Sequence, residues 1–184
     1  MKKFLLVFML VTIFATSTAF ADHPDGFGIG FVGSWGWGSY GGGSGGLSLK
    51  IPKVPIYWAI NLWGGSGYFR LALTGDYYII DKSFAPMFHW FLGIGGYFNM
   101  WTWKYNYNVY SSSRTDLAFG VRVPIGISFQ PINWFELFFD VAPGLGFHWH
   151  GKYDDNLGGV KHERKGTAGL NWSVPLELGF RFWF

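Results

Sequence analysis

The feature of this sequence that most limits its fold is a strict alternation of residue types near its C-terminal end. Odd positions from 171 to 181 hold polar, small or charged residues and one proline. The even positions are all apolar: Leu170, Trp172, Val174, Leu176, Leu178, Phe180, Phe182 and Phe184. Because successive side chains of a β-strand point to opposite faces, this segment is predicted to be a strand with one apolar face.

The same period of two recurs at 117–129 and at 135–149. After residue 21, no run of 18 apolar residues and no sustained apolar stripe at helical spacing occurs. The 20 Phe, 11 Trp and 10 Tyr residues exclude a disordered chain, and the absence of cysteine excludes disulfides and cysteine-bound metals. We therefore expect an all-β protein.

The first 21 residues have the pattern of an export signal. Lys2 and Lys3 precede an apolar run at 4–14, and Ala19 and Ala21 form the A-x-A pattern that signal peptidase accepts. We predict a cleaved signal peptide at 1–21 and one domain at 22–184. Removal of the two signal lysines lowers the formal net charge from +3 to +1, so no nucleic-acid partner is expected.

The face opposite the apolar side chains distinguishes a soluble β-protein from a membrane barrel. Charged residues make up 14% of the chain, whereas about a quarter is usual in soluble domains. The second face is mostly Gly, Ala, Ser, Thr and Asn. A transmembrane barrel needs this arrangement, with apolar residues toward lipid and small or polar residues inside. We prefer it to a soluble sandwich or lipocalin-type barrel.

Eight segments have the properties of membrane-crossing strands: 26–38, 46–52, 55–63, 68–80, 87–101, 116–129, 134–149 and 167–184. The division between the second and third segments rests on Pro52 and Pro55. Compact turns are expected at 53–54, 81–86 and 130–133, and longer outer loops at 39–45, 102–115 and 150–166. The sequence thus predicts an eight-stranded antiparallel up-and-down transmembrane β-barrel.

Seven charged residues fall on the inward face of these strands: Arg70, Asp76, Arg122, Glu136, Asp140, Glu177 and Arg181. Buried charges must be paired, so three positive and four negative groups predict a salt-bridged network that largely fills the interior. An eight-stranded barrel is just wide enough inside for side chains. A structural or surface-interaction role is favoured. The alternative is a narrow pore that passes small solutes or small hydrophobic molecules.

The sequence contains two further candidate sites, a dinucleotide motif and a metal site, and the evidence for each is weak. Gly28, Gly30 and Gly33 match a dinucleotide fingerprint, but they lie in a predicted strand with no helix after it. His148 and His150 share a strand face, and a loop-side metal site with Asp154, Asp155 and His162 is geometrically possible; solvated polar residues are the preferred interpretation. No catalytic motif is recognised. We predict no enzyme, no cofactor and no metal.

The loop predicted at 102–115 combines aromatic and polar residues: Lys104, Tyr105, Asn106, Tyr107, Asn108, Tyr110 and Arg114. Such a composition is typical of adaptable recognition surfaces, because tyrosine supplies rigid contact area and asparagine supplies hydrogen bonds. A surface ligand bound through the outer loops is therefore one hypothesis. Plainly solvated loops are the other.

The final residues, Leu178-Gly179-Phe180-Arg181-Phe182-Trp183-Phe184, resemble the terminal signature of bacterial outer-membrane proteins. The chain from residue 22 onward resembles small eight-stranded barrels, such as the membrane domain of OmpA, the OmpW type and the short barrels of spirochaetes. This resemblance implies an outer-membrane location in contact with lipid. It also implies insertion by the barrel-assembly machinery, with Phe180, Phe182 and Phe184 as the assembly signal. The fold alone does not imply a function.

Overall fold

The computed structural model describes residues 24, 26–39, 42–107, 110–151, 153–157 and 160–184, with the backbone only at 105–111 and 153–164. The predicted signal peptide, residues 1–21, lies outside these ranges. Its cleavage and the domain boundary at residue 22 stay predictions.

Twelve β-segments make up the described structure: β1 Gly28–Gly38, β2 Gly42–Lys50, β3 Tyr57–Gly65, β4 Tyr68–Ala85, β5 Phe88–Tyr107, β6 Tyr110–Arg122, β7 Ile125–Ile132, β8 Phe135–Val141, β9 Gly144–His150, β10 Tyr153–Leu157, β11 Val160–Arg164 and β12 Thr167–Trp183. They form eight passes along the barrel wall. β6 and β7 form the sixth pass, β8, β9 and β10 the seventh, and β11 and β12 the eighth.

Every ladder between neighbouring passes is antiparallel, and the first pass pairs with the last. β1 pairs with β2 on one side and with β12 on the other, from Gly28↔Trp183 to Gly38↔Ser173. The ring is thereby closed, which removes the open sheet edges that a flat sheet would have. The predicted fold, an eight-stranded antiparallel barrel, is confirmed. We call the end with Gly28 and Trp183 the inner end, and the end with Gly38 and His150 the outer end.

Several strand limits differ from those predicted. β2 begins at Gly42 rather than at 46, because its ladder with β1 continues to Gly36↔Gly42. The turn predicted at 81–86 is mostly strand, since β4 runs to Ala85 and its pairing with β5 is shifted at two bulges. The turn itself is reduced to Pro86 and Met87, and Met87 adopts a positive φ of 70°.

The other two predicted outer loops are also wrong, because most of their residues pair as strands. β5 and β6 pair as far as Tyr107↔Tyr110, and β10 and β11 pair from Tyr153↔Arg164 to Leu157↔Val160. β10 in turn pairs with β6. The segments 104–107, 110–113, 153–157 and 160–164 thus form a four-stranded extension of the wall, which we call the projecting sheet. Their polar composition does not prevent pairing, because the ladder satisfies the backbone whatever the side chains.

Three prolines lie side by side in the last three passes without shifting the register. The Gly93 N–H donates to the Pro124 carbonyl at 2.8 Å, and the Val123 N–H to the Pro143 carbonyl at 2.9 Å. The Ala142 N–H donates to the Pro175 carbonyl at 3.0 Å. Each proline loses its ladder donor but keeps its acceptor, so the wall tolerates it without an inserted residue.

The two faces of the wall have opposite character. Outward residues such as Val121 and Leu145 are 60% and 67% exposed, whereas the inward Ala118 and Arg122 are almost completely buried. An apolar exterior around a polar interior is the arrangement of a barrel that faces lipid. Among the described residues, no helix has the length and hydropathy needed to cross a membrane.

The apolar exterior ends sharply at the outer end. Met100 and Leu117 are cross-strand partners on the outward face, and the next outward pair is Thr102 and Thr115, whose hydroxyls lie 3.4 Å apart. Above them the same face continues with Lys104 opposite Ser113. Between β5 and β6 the apolar exterior therefore ends at the threonine pair.

Candidate functional site

The barrel interior is the candidate site, and an ion pair occupies its inner half. Glu136 on β8 and Arg181 on β12 are direct partners in the ladder. Arg181 Nη1 donates to both carboxylate oxygens of Glu136 at 3.2 Å, and its Nε donates to Ser48 Oγ at 2.8 Å. The Trp183 indole N–H also donates to Glu136 at 3.0 Å. Glu136 is 0% exposed, so this carboxylate depends entirely on protein donors.

Aromatic rings surround this pair. The Arg181 guanidinium carbon lies 3.9 Å from the ring centroid of Phe138 and 4.9 Å from that of Tyr57. Tyr78 stacks between Tyr57 and Phe91, with centroid separations of 4.1 and 4.3 Å. Cation–π contacts of this kind stabilise a desolvated guanidinium. The inner half is thereby filled by rings as well as by charges.

A second charged group lies toward the middle of the barrel. Arg122 makes a bidentate contact with Glu177, at 2.8 and 2.7 Å, and its Nε lies 3.0 Å from an oxygen of Asp76. These three side chains come from β6, β12 and β4, so the group bridges distant parts of the wall. Asp140, the ladder partner of Glu177, is also buried, but it forms no ion pair with a described residue.

Inward glycines make room for large side chains. Tyr97 points inward and its hydroxyl donates to Asn171 Oδ1 at 2.9 Å. A Cβ added at Gly146 would lie 2.6 Å from that hydroxyl, and one added at Gly120 would lie 2.8 Å from it. The glycines opposite Tyr97 therefore keep the interior from being overfilled.

A cavity lies beyond the Arg122 group and extends toward the outer end. Its volume is about 50 Å³, which is room for about four waters. Its lining is mainly amide, hydroxyl and glycine: Ser34, Gly36, Gly42, Ser44, Asn61, Arg70, Ala72, Thr74, Tyr97, Asn99, Arg122, Ala142, Asn171, Ser173, Pro175 and Glu177. We call it the outer cavity.

The structure brings five of the seven predicted interior residues into ion pairs and leaves Asp140 and Arg70 outside them. Arg70 is partly exposed, and its guanidinium carbon lies 5.2 Å from the ring centroid of Trp101. Its Nε is buried without a hydrogen-bond partner. The predicted interior set thus comprises the Glu136–Arg181 pair, the group around Arg122, a buried Asp140 beside Glu177, and a separate Arg70.

The sequence prediction misses three further buried charged residues: Lys50, Asp81 and Asp116. Lys50 follows Ser44, Gly46 and Ser48 on the inward face of β2, so the period-two pattern could have found it. Asp81 lies beyond the bulge at Tyr78 and Ile80, which shifts the inward positions from even to odd. Asp116 is the first residue of the predicted strand, whereas the strand in fact begins at Tyr110.

Asp116 belongs to a polar cluster at the outer rim. It accepts a hydrogen bond from Arg114 and lies 3.1 Å from His150 Nδ1, and Arg114 also contacts His150. The rings of His148 and His150 are 4.5 Å apart. In the part of the chain that the structure describes, no group of three or more His, Cys, Asp or Glu could hold a metal ion.

The predicted assembly signal forms part of an aromatic belt at the inner end. Phe180 and Phe182 contact each other and Phe135, with centroid separations of 5.5 to 6.3 Å. Phe184 packs near Phe27 at 6.5 Å and is 80% exposed. These side chains lie on the outside of the wall, as the alternation requires.

A closed ring of eight antiparallel strands, apolar outside and charged inside, defines a small transmembrane β-barrel. Within that class, the chain belongs to the DUF3996 family, described as proteins of unknown function, whose family model matches residues 49–172. A comparison with curated proteins finds no significant match.

Three solved structures are similar to this chain. Neisserial surface protein A is 17% identical, with 86% of this chain and 96% of that chain covered and a TM-score of 0.45. A major outer membrane protein of Thermus thermophilus is 13% identical, with 85% and 99% covered and a TM-score of 0.49. The N-terminal β-barrel domain of Pseudomonas aeruginosa OprF is 9% identical, with 84% and 97% covered and a TM-score of 0.43.

Proposed function

We propose that this protein is a bacterial outer-membrane barrel with a closed interior and a structural or surface-interaction role through its outer end. The observation that carries the proposal is the layer of buried, mutually paired charges in the inner half. Glu136 and Arg181 hold each other between aromatic rings, and Arg122 joins Glu177 and Asp76. Opening a path there requires separating desolvated ion pairs, which costs several kcal/mol.

The exterior supports the membrane location. Between β5 and β6 the apolar exterior ends at the Thr102–Thr115 pair on the outer side, and aromatic residues such as Trp134 and Phe184 lie at the inner end. Aromatic side chains favour the boundary between lipid and water. Insertion by the barrel-assembly machinery, with Phe180, Phe182 and Phe184 as its signal, is part of the proposal.

The projecting sheet supports the surface role, because its paired strands continue the wall beyond the Thr102–Thr115 pair. The sequence of its β5 and β6 strands combines tyrosine with serine, asparagine and lysine. Such a composition is typical of recognition surfaces, because tyrosine supplies rigid contact area and the polar residues supply hydrogen bonds.

The closed interior is tested by single-channel recording. The refolded barrel is placed in a planar bilayer, and a heat-modifiability gel confirms that it is folded. We expect no discrete conductance steps, because the paired charges and rings of the inner half block the path of ions. Reproducible steps from folded protein would contradict the closed interior.

The surface role is tested by shortening one hairpin. Residues 104–113 are replaced by Asn-Gly, which suits a two-residue turn between the paired residues Trp103 and Arg114. Bacteria that display the shortened barrel are expected to lose adhesion to matrix-coated surfaces, while the heat-modifiability of the barrel is unchanged. A Ser66→Asn variant in the turn between β3 and β4 is the control. Equal adhesion of all three proteins would refute a role of this hairpin.

A narrow pore is the second candidate, and the outer cavity favours it. This cavity already reaches inward to Arg122 and Glu177. A rearrangement of the Arg122 group would lengthen it toward the inner end. The recording above separates the two candidates, since a pore for small solutes predicts steps that change when Arg122 is replaced by alanine.

A further inference from the structure

Glycines on the two faces of the wall differ in how much space surrounds them. The inward Gly146 is required by packing, because a Cβ added there would lie 2.6 Å from the Tyr97 hydroxyl. Gly96 points outward, and a Cβ added there would meet nothing closer than the Gly120 carbonyl oxygen at 3.7 Å. Its φ is not positive. Neither packing within the chain nor backbone conformation therefore requires glycine at position 96.

A second outward glycine lies directly beside Gly96. Gly75 is its cross-strand partner, and a Cβ added at Gly75 would lie 3.0 Å from the ring of Trp58. Trp58 and Val121 are the next partners on either side of the glycine pair. Two adjacent passes thus lack side chains at this level of the exterior. Glycine within a strand often marks a place where a ligand approaches the backbone closely.

The glycine pair forms the floor of a groove on the outside of the barrel, which we call the glycine groove. Its volume is about 730 Å³, and no charged residue is among the described residues that line it. The outward side chains around the floor are apolar and include Leu73, Phe98 and Phe119. The glycine groove is therefore a depression in the apolar exterior.

The glycine groove lies deep within the apolar exterior. Gly96 is six residues from Thr102, where the apolar exterior ends between β5 and β6, and eight residues from Phe88 at the inner end. At about 3.3 Å per residue and a strand tilt of about 40°, these separations correspond to about 15 and 20 Å along the membrane normal. At this depth the surroundings are acyl chains and not lipid headgroups.

We propose that the glycine groove binds one acyl chain of a membrane lipid, with the backbone of Gly75 and Gly96 as its floor and Trp58 and Val121 at its sides. The groove is continuous with the surface that faces lipid, so the bilayer supplies the chain. The wall of a second barrel is convex and too wide to enter a gap of three strand spacings, about 14 Å, between β3 and β6. The inference rests on the membrane location in the proposed function, and not on the closed interior or the surface role.

Fluorescence quenching of Trp58 tests the proposal. A phosphatidylcholine with brominated acyl chains is titrated into the barrel refolded in detergent micelles, and the contribution of Trp58 is the difference from Trp58→Phe. Bromine quenches tryptophan only at short range. We expect the quenching of Trp58 to saturate at about one lipid per barrel, because a single groove is filled.

Two variants assign the quenching to the glycine groove, each measured with and without Trp58→Phe. Gly96→Leu fills the floor, and the space around its Cβ lets the barrel fold, so we expect the saturable quenching to be lost. Ala168→Leu is the matched control, because Ala168 is a small exposed residue outside the groove. It is expected to keep the saturable quenching. Heat-modifiability of the barrel in lipid vesicles tests the membrane location separately, so a failed groove is distinguished from a failed location.

Native mass spectrometry of the barrel after detergent extraction counts retained lipid directly. We expect a lipid on the wild-type barrel and none on Gly96→Leu. Quenching that never saturates, or that saturates equally in Gly96→Leu, would overturn the proposal. A wild-type dimer without lipid, dissociated by Gly96→Leu, would assign the groove to a second copy of the chain and would overturn it as well.

Discussion

The inner and outer halves of the barrel interior both contain buried polar residues, but the two halves differ in which of these residues have a protein partner. In the inner half, Glu136 and Arg181 are buried and each satisfies the other. In the outer half, Arg70 has an aromatic ring but no carboxylate among the described residues, and Asn61 and Thr74 have orphaned atoms. The first half is closed by its own side chains, and the second contains the outer cavity.

This difference shows that burial by itself does not determine how much a polar residue contributes to the stability of the fold. A buried charge that has its partner is costly to disturb, because removal of one member leaves the other desolvated. A buried polar atom without a protein partner is inexpensive to remove. Substitutions at Glu136, Asp140 and Thr74 test this contrast.

The largest effect is expected for Glu136→Arg. The substitution places a second cation beside Arg181 and removes the acceptor of the Trp183 indole N–H. We expect the free energy of unfolding to fall by about 3–5 kcal/mol or the barrel to fail to fold. Urea unfolding in lipid vesicles, followed by heat-modifiability, measures the midpoint. Lys82→Ala, at an exposed position, is the control, and an unchanged midpoint for Glu136→Arg would show that the ion pair does not stabilise the barrel.

A moderate increase in stability is expected for Asp140→Asn. Asp140 is as buried as Glu177, its ladder partner, but it has no ion pair among the described residues, and its Oδ1 is orphaned. Asparagine keeps the shape and removes the charge, so we expect the free energy of unfolding at neutral pH to rise by about 1–3 kcal/mol. The same urea titration checks it. Destabilisation would mean that Asp140 carries a needed charge in the Arg122 group.

The smallest effect is expected for Thr74→Val in the outer cavity. Valine has nearly the same shape, and the Thr74 hydroxyl has no partner in the structure. We expect the free energy of unfolding, measured by the same urea titration, to change by less than about 1 kcal/mol. A loss above about 2 kcal/mol would show that the hydroxyl has a strong partner, and would contradict the contrast between the two halves.

Much of the fold follows from the sequence because the period-two pattern is local. Leu170 to Phe184 specify an apolar face whatever strand lies beside them, and the number of such segments gives the eight passes. The same pattern predicts that the side chains of Arg122 and Glu136 point inward. Asp81 could not be found in this way, because a bulge shifts the phase and no residue type marks it. The polar residues of the projecting sheet predict loops, whereas strand pairing there depends on the neighbouring strands.

By itself, the sequence determined that this chain forms strands with one apolar and one polar face, and that most of its buried charged residues face inward. Only the tertiary structure decided which charges meet. Glu136 meets Arg181 through the ladder between β8 and β12, and Glu177 on β12 meets Arg122 on β6 across the interior, past the pass that lies between them. Arg70 is left with Trp101 because the acid at its level two passes away, Asp116, pairs with Arg114 and His150 instead. Charge pairing depends on register between strands, and register is fixed only when the whole ring closes.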